Sequence, residues 1–212
     1  MSMEPVVYVV DDDQAMAESL SWIIQSVGLK VKTYTRAQDF LDDFDPAQHG
    51  CLLLDVRMPG MSGPELQSRL NEHTPPILPI IFISGHGDVP LAVRVMKAGA
   101  TDFLTKPFND QVLLESINKA LRLDKLHRER QQENAQAEAK FALLSPREIQ
   151  VLQGIVAGKQ NKVISSELDI SLKTVEAHRA SVMKKMSVKS VPELVKIVLN
   201  NSTPQESVTH EE

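Results

Sequence analysis

The sequence predicts an α/β protein: an open, five-stranded, doubly wound parallel sheet, then a helical linker, then a small all-α unit of four helices. Three observations carry that prediction. Short apolar runs alternate with amphipathic stretches through residues 1–121, the βαβ pattern of a parallel sheet covered on both faces. Residues 122–140 contain neither glycine nor proline and are mostly strong helix formers with charges throughout. Beyond 143, apolar residues recur at helical spacing between serine-initiated starts and glycine stops. The expected division is a sheet domain at 1–121, a linker at 122–142, a helical domain at 143–200 and a disordered tail at 201–212.

The strand runs are 6–10, 31–34, 51–54, 80–84 and 102–105. After the first, Met16, Leu20, Ile23, Ile24 and Val27 repeat at helical spacing and stop at Gly28, a natural helix terminator. Asp13 precedes this helix, where the dipole favours a carboxylate. Phe40, Leu41 and Phe44 mark a second helix, and Leu66 with Leu70 a third. Ala92, Val93 and Met96, ended by Gly99, mark a fourth. Val112, Leu113, Ile117 and Leu121 mark a fifth, which the linker extends. In the second unit, Ser145-Pro146-Arg147-Glu148 is a capping box with proline at an early helical position. Ile149, Leu152, Ile155 and Val156 follow, up to Gly158. A second helix, roughly 161–168, turns Val163, Ile164 and Leu168 inward. Asp169-Ile170-Ser171 forms a tight turn, and Ser171 caps a third helix reaching about Met186. Ser190-Val191-Pro192-Glu193 repeats the capping box before a helix holding Leu194, Ile197, Val198 and Leu199.

Composition narrows the function classes. With 42% hydrophobic and 24% charged residues the chain has ample material for a core. The single cysteine, Cys51, lies inside an apolar run, which suits packing in a reducing compartment. No stretch approaches the roughly 20 apolar residues of a membrane helix, and no signal peptide opens the sequence, so a cytoplasmic protein without a membrane partner is expected. Charge is split: residues 1–121 hold 9 basic and 16 acidic residues, whereas 141–200 hold 9 and 5. An acidic front and a basic back imply different partners.

The chemistry converges on one sheet edge. Asp11 and Asp12 follow the first strand, Asp55 closes the third, Ser84 ends the fourth, and Lys106 follows the fifth. In open parallel sheets the ligand crevice lies outside the carboxyl ends of the strands. Asp11, Asp12 and Asp55, with the Arg57 main-chain carbonyl, form an oxygen donor set for a hard dication, Mg²⁺ or Mn²⁺. Asp55, lying between the acidic pair and the lysine, is the best nucleophile for in-line attack on a phosphoryl group. Lys106 and the Ser84 hydroxyl are donors to the phosphoryl oxygens, and Pro107 constrains Lys106.

These positions resemble the receiver domain of bacterial response regulators. The match comprises Asp11-Asp12, the phosphoacceptor Asp55 before Met58-Pro59-Gly60, the switch hydroxyl Ser84, the switch aromatic Phe103 and Lys106-Pro107. The stretches Gly85-His86-Gly87-Asp88-Val89-Pro90 and Lys97-Ala98-Gly99-Ala100 look like the FixJ branch. The resemblance implies a flavodoxin-like receiver fold, phosphorylation by a sensor histidine kinase, and homodimerisation through the face of the fourth helix, fifth strand and fifth helix. It also implies only slow self-catalysed phosphoryl transfer and dephosphorylation, so a regulator rather than an enzyme.

The basic unit reads as a helix-turn-helix. Its recognition helix is Leu172-Lys173-Thr174-Val175-Glu176-Ala177-His178-Arg179-Ala180. Val175, Val182, Met183 and Met186 share the core side. Glu176, Ala177 and Ala180 fall opposite, where a carboxylate can accept from cytosine N4 and a methyl can meet thymine. Lys173, Thr174, His178, Arg179, Lys184 and Lys185 are the candidate phosphate contacts. Residues 143–199 resemble the LuxR-type DNA-binding domain of NarL/FixJ regulators, which implies promoter DNA as a partner and RNA polymerase as a further candidate.

Other motifs fail. Pro90 stands where a dinucleotide fingerprint needs its third glycine, and Gly158-Lys159 lacks the rest of a P-loop. Two other functions compete with the phosphorylation-switched regulator. An aspartyl-phosphate phosphohydrolase usually carries a second Asp two residues after the nucleophile, where this chain has Arg57. A phosphorylation-independent DNA-binding protein with a vestigial receiver would have lost part of the acidic constellation, which is intact here.

Overall fold

A computed structural model describes residues 4–72, 78–85 and 89–202. Two compact units divide after Arg128. In the first, strands β1 (Val6–Val10), β2 (Lys30–Tyr34), β3 (Gly50–Asp55), β4 (Ile80–Ser84) and β5 (Asp102–Thr105) form one parallel sheet in the order β2-β1-β3-β4-β5. The strands alternate with helices α1 (Gln14–Ser26), α2 (Ala37–Asp43), α3 (Gly63–Asn71), α4 (Val89–Lys97) and α5 (Asp110–Phe141). This is the doubly wound architecture expected from the apolar runs.

Alternation within the runs explains the two cores. Tyr8, Val10, Leu52, Leu54 and Phe82 face one side, with Phe40 and Leu66 from the helices. Val7, Val9, Cys51, Leu53, Ile81 and Ile83 face the other, against Leu20, Ile24, Leu113 and Ile117. Every residue of β1, β3 and β4 is therefore buried, as central strands of a two-sided sheet must be. The edge strand β2 exposes Lys30, Lys32 and Thr33, which blunts it against pairing with another sheet. Asp13 caps α1, accepting from the backbone N–H groups of Ala15 and Met16.

Helix α5 continues through the expected linker. Leu113, Ile117 and Ala120 anchor it on the sheet, and a polar clamp extends the anchorage past 121. Buried Asp124 accepts the Gly50 N–H at 3.1 Å and Arg128 Nε at 2.8 Å, with His49 Nδ1 at 3.3 Å. The same guanidinium donates to the carbonyls of Pro46, Ala47 and Gln48 at 3.2, 3.1 and 2.6 Å. Residues 122–128 thus fold as part of the first compact unit.

The second unit contains α6 (Pro146–Val156), α7 (Asn161–Leu168), α8 (Leu172–Lys185) and α9 (Val191–Ser202) around Leu144, Val151, Ile155, Ile164, Val175, Val182, Met186 and Leu194. Ser145 and Glu148 form the expected capping box. Ser171 caps α8, after Asp169 turns the chain at φ 52°. Three details differ from the sequence reading. Ile164 fills the α7 contact while Val163 is exposed, because α7 meets the core along a narrow stripe. Ser190 Oγ accepts from the Glu193 N–H at 3.4 Å as the expected cap, but the Glu193 carboxylate returns to the Lys189 N–H at 2.9 Å instead of the Ser190 N–H, so only half of the second capping box forms. Asn201 and Ser202 are helical, and the rest of the expected tail, like His86–Asp88 of the FixJ-like stretch, lies outside the described residues.

The clamp makes a stability prediction. Arg128→Ala leaves Asp124 buried without its strongest partner, and breaking a buried pair costs about 3 kcal/mol. Urea unfolding should show that loss, with faster hydrogen exchange across residues 119–128. Unchanged exchange there would mean that the clamp holds nothing.

Candidate functional site

The parallel register aligns the strand ends. Val10 pairs with Leu54, Asp55 with Ile83 and Ser84 with Thr105, so Asp11, Asp55, Ser84 and Lys106 reach one edge together. The Lys106 N–H donates to the Ser84 carbonyl at 2.7 Å and the Val56 N–H to the Ile83 carbonyl at 3.2 Å, which carries the alignment one residue beyond the strands. Gly63 closes the far side, because a Cβ there would overlap the Asp55 carbonyl oxygen. The start of α3 can therefore lie against the phosphoacceptor candidate.

Lys106 Nζ sits between two carboxylates, 2.8 Å from Asp11 Oδ2 and 3.0 Å from Asp55 Oδ1. The Arg57 N–H donates to Asp55 Oδ2 at 2.7 Å, and the Asp13 N–H to Asp11 Oδ1 at 3.0 Å. Burial pushes the Asp55 carboxyl above its ordinary range, against the pull of the Lys106 and Arg57 hydrogen bonds. Burial also works against the Lys106 charge, but its hydrogen bonds to Asp11 and Asp55 outweigh that and hold its pKa above the usual lysine value.

The predicted residues do not all converge. Asp12 is exposed and takes no hydrogen bond or ion pair among the described residues. No three His, Cys, Asp or Glu side chains gather closely enough among those residues to hold a metal ion, and Lys106 bridges Asp11 and Asp55. Two carboxylates with water are nevertheless a usual protein share of Mg²⁺ coordination, and Asp11 and Asp55 meet that requirement. Phe103 pairs with Phe82 in the sheet and packs, half-buried, on the α4 side, away from the charged edge. Pro107 follows Lys106 through a cis peptide.

In the second unit, α8 presents Lys173, Glu176, Ala177, Ala180 and Lys184 to solvent, while Val175, Val182 and Met186 are fully buried. Thr174, His178 and Arg179 are half-buried, and the Thr174 hydroxyl bonds Ser171 Oγ at 2.7 Å. Lys185 stands apart from the other candidate phosphate contacts. Its ammonium is 2.7 Å from Glu148 Oε2, and Glu148 also accepts from Ser181 Oγ at 2.5 Å and the Ser145 N–H at 2.7 Å. Glu148 is thus both the capping residue of α6 and the polar tie to α8. Sequence reasoning found the first role but missed the second, since only a buried carboxylate facing Lys185 distinguishes it.

Comparison with known proteins agrees with both halves. The response regulator receiver domain family matches residues 7–118, and the luxR family of bacterial regulatory proteins matches residues 142–198. The response regulator protein TmoT of Ectopseudomonas mendocina is 49% identical over 194 residues, covering 92% of this chain and 88% of that protein. The transcriptional regulatory protein FixJ of Bradyrhizobium diazoefficiens is 44% identical over 199 residues, covering 94% and 97%. Among solved structures, the response regulator StyR superposes with a TM-score of 0.83 at 46% identity, over 92% of this chain and 98% of that one. No helix among the described residues is long and apolar enough to cross a membrane.

The Glu148 tie gives a pH prediction. Lys185 first, then Ser181 and Ser145, hold this carboxyl well below its ordinary 4.5, at about 2. A depressed folded pKa contributes stability that is fully present above the unfolded value and is lost as pH falls through the folded one. Glu148→Gln should therefore be less stable than the native chain at neutral pH, with the gap narrowing between about pH 4.5 and 2. Urea midpoints by circular dichroism across that range check this; a constant gap would refute the role.

Proposed function

Because this chain belongs to the response regulators, as a receiver domain joined to a LuxR-type DNA-binding domain and so a transcriptional regulator of a two-component system, we propose that phosphorylation of Asp55 switches its binding to promoter DNA. The observation that carries this reading is the convergence of Asp11, Asp55 and Lys106 at one strand edge. One Asp55 oxygen attacks the phosphorus of a phosphohistidine on the partner kinase, the P–N bond breaks in line, and the imidazole leaves with a proton. Lys106 and the Ser84 hydroxyl donate to the phosphoryl oxygens. A bound Mg²⁺ or Mn²⁺ would supply charge neutralisation there, with Asp11, Asp55 and the Arg57 main-chain carbonyl as its oxygen donors and Asp12, exposed beside Asp11, as a further one.

The new oxygens compete with Asp11 for Lys106, and Ser84 and Phe103 adjust toward the added charge. Phe103 is suited to this because it lies on β5, the strand that leads to Lys106, and packs on the α4 side. The face beside it is apolar yet uncovered: Val89, Val93 and Met96 on α4 and Val112 on α5 are 69%, 48%, 41% and 45% exposed. Two phosphorylated chains dimerise through that face, presenting two α8 helices to a two-half-site operator. Glu176, Ala177 and Ala180 read bases, and Lys173, Thr174, His178, Arg179 and Lys184 hold phosphates. Lys185 supports α8 through Glu148 instead. Residues 1–128 act as the receiver, with the linker beginning beyond the Arg128 clamp.

Asp55→Asn should abolish Mg²⁺-dependent labelling by a small phosphodonor and the gain in operator affinity at one fixed salt concentration. Stoichiometric labelling retained by the variant would remove Asp55 from this role. Val93→Asp should keep labelling but weaken phosphorylation-induced dimerisation at least about tenfold, read by sedimentation, because the interface would bury an unpaired carboxylate. Undiminished dimerisation would move the interface elsewhere.

A further inference from the structure

Away from Asp55, the first unit carries a groove of about 950 Å³ lined by the start of α2, the connection from β3 to α3, α3 itself and α4. Residues 1–121 contain four arginines and five lysines. Three of the arginines, Arg36, Arg69 and Arg94, line this groove, and none of the lysines does. They come from three separate elements, so pairing along one helix does not account for their gathering.

The surrounding domain is acidic, with carboxylates available to surface cations: Lys30 and Lys32 each have one. Among the described residues, the guanidinium groups of Arg36, Arg69 and Arg94 form no hydrogen bond or ion pair. Glu65, the carboxylate in the lining, is held by the Ser62 N–H at 2.7 Å and the Ser62 hydroxyl at 2.6 Å, and meets Arg69 only through longer-range attraction. A guanidinium offers a planar fork that grips phosphate through two hydrogen bonds, which an ammonium does not. The selection of arginine over lysine therefore suits phosphate recognition better than general surface charge. The groove also falls at the upper end of the roughly 300–1,000 Å³ range of small-ligand sites. Pro59 and Met61 supply apolar surface in the same lining, which a flat ring can cover and a bare anion cannot use.

We propose that this groove binds a nucleoside polyphosphate, with the three guanidinium groups on its phosphates and its ring against the apolar lining. The test titrates the full-length protein calorimetrically with ATP and GTP, beside tripolyphosphate, adenosine and hexaglutamate as probes of the separate parts. At least one nucleotide should bind saturably at one site per chain, at least tenfold tighter than any of the other three. The R36Q/R69Q/R94Q variant should weaken that binding at least tenfold while phosphodonor labelling of Asp55 stays unchanged; Arg94→Gln alone should weaken it severalfold. Four results overturn the proposal. They are no saturable binding up to millimolar nucleotide, tripolyphosphate binding as tightly as nucleotide, hexaglutamate doing so, which would indicate an acidic protein segment, and binding that survives the arginine substitutions but is displaced by duplex DNA, which would put the anion on α8.

Discussion

The Lys106 ammonium between Asp11 and Asp55 is the interaction around which the receiver edge is organised. Two carboxylates within about 6 Å of one another repel by roughly 3 kcal/mol at an effective dielectric of about 20, and each contact to a cation near 3 Å returns about twice that. Without the lysine, that repulsion would stand uncompensated at the edge. The sheet register makes the arrangement possible, because Lys106 and Ser84 are tied by a backbone bond while Asp11 and Asp55 sit side by side on β1 and β3. Under the proposed function, a phosphoryl group entering this edge meets a cation already shared, so its arrival redistributes Lys106 rather than recruiting a distant group.

Much of this was legible because it rests on local alternation and on strand order. The apolar runs gave the central strands, their odd and even positions gave the two cores, and parallel strands oblige their carboxyl ends to coincide. Asp13 and Ser145 were readable as caps for the same reason: a cap acts within three residues. Asp12 was less so. Its neighbour Asp11 turns inward to Lys106 while Asp12 stays exposed, because the backbone at a strand end directs consecutive side chains differently.

The interactions that escaped the sequence are those whose partners are distant along the chain. Asp124 reaches Gly50 across 74 positions and Arg128 reaches Pro46 across 82. Charged residues in a polar helix read as a solvated face unless the pairing is known, and α5 beyond 121 is such a helix. Glu148 is a milder case, recognised as a cap but also tied to Ser181 and Lys185, at separations of 33 and 37. In both places a buried carboxylate with several donors replaces apolar packing where elements meet, and the added hydrogen bonds offset its desolvation.

The clamp and the charged edge occupy opposite ends of one strand. β3 begins at Gly50, whose N–H is held by Asp124, and ends at Asp55. All six of its residues are buried, paired on both sides and packed on both faces, so the strand is among the least deformable parts of the domain. A rigid strand fixed at its start confines the consequences of a new charge at its end to the softer surroundings: the connection after Asp55, the Lys106 contacts, Phe103 on the edge strand, and α4. Those are also the elements that border the uncovered apolar residues of α4. Under the proposed function, a charge change at Asp55 is carried toward that face, while the clamp holds the opposite end of β3 in place.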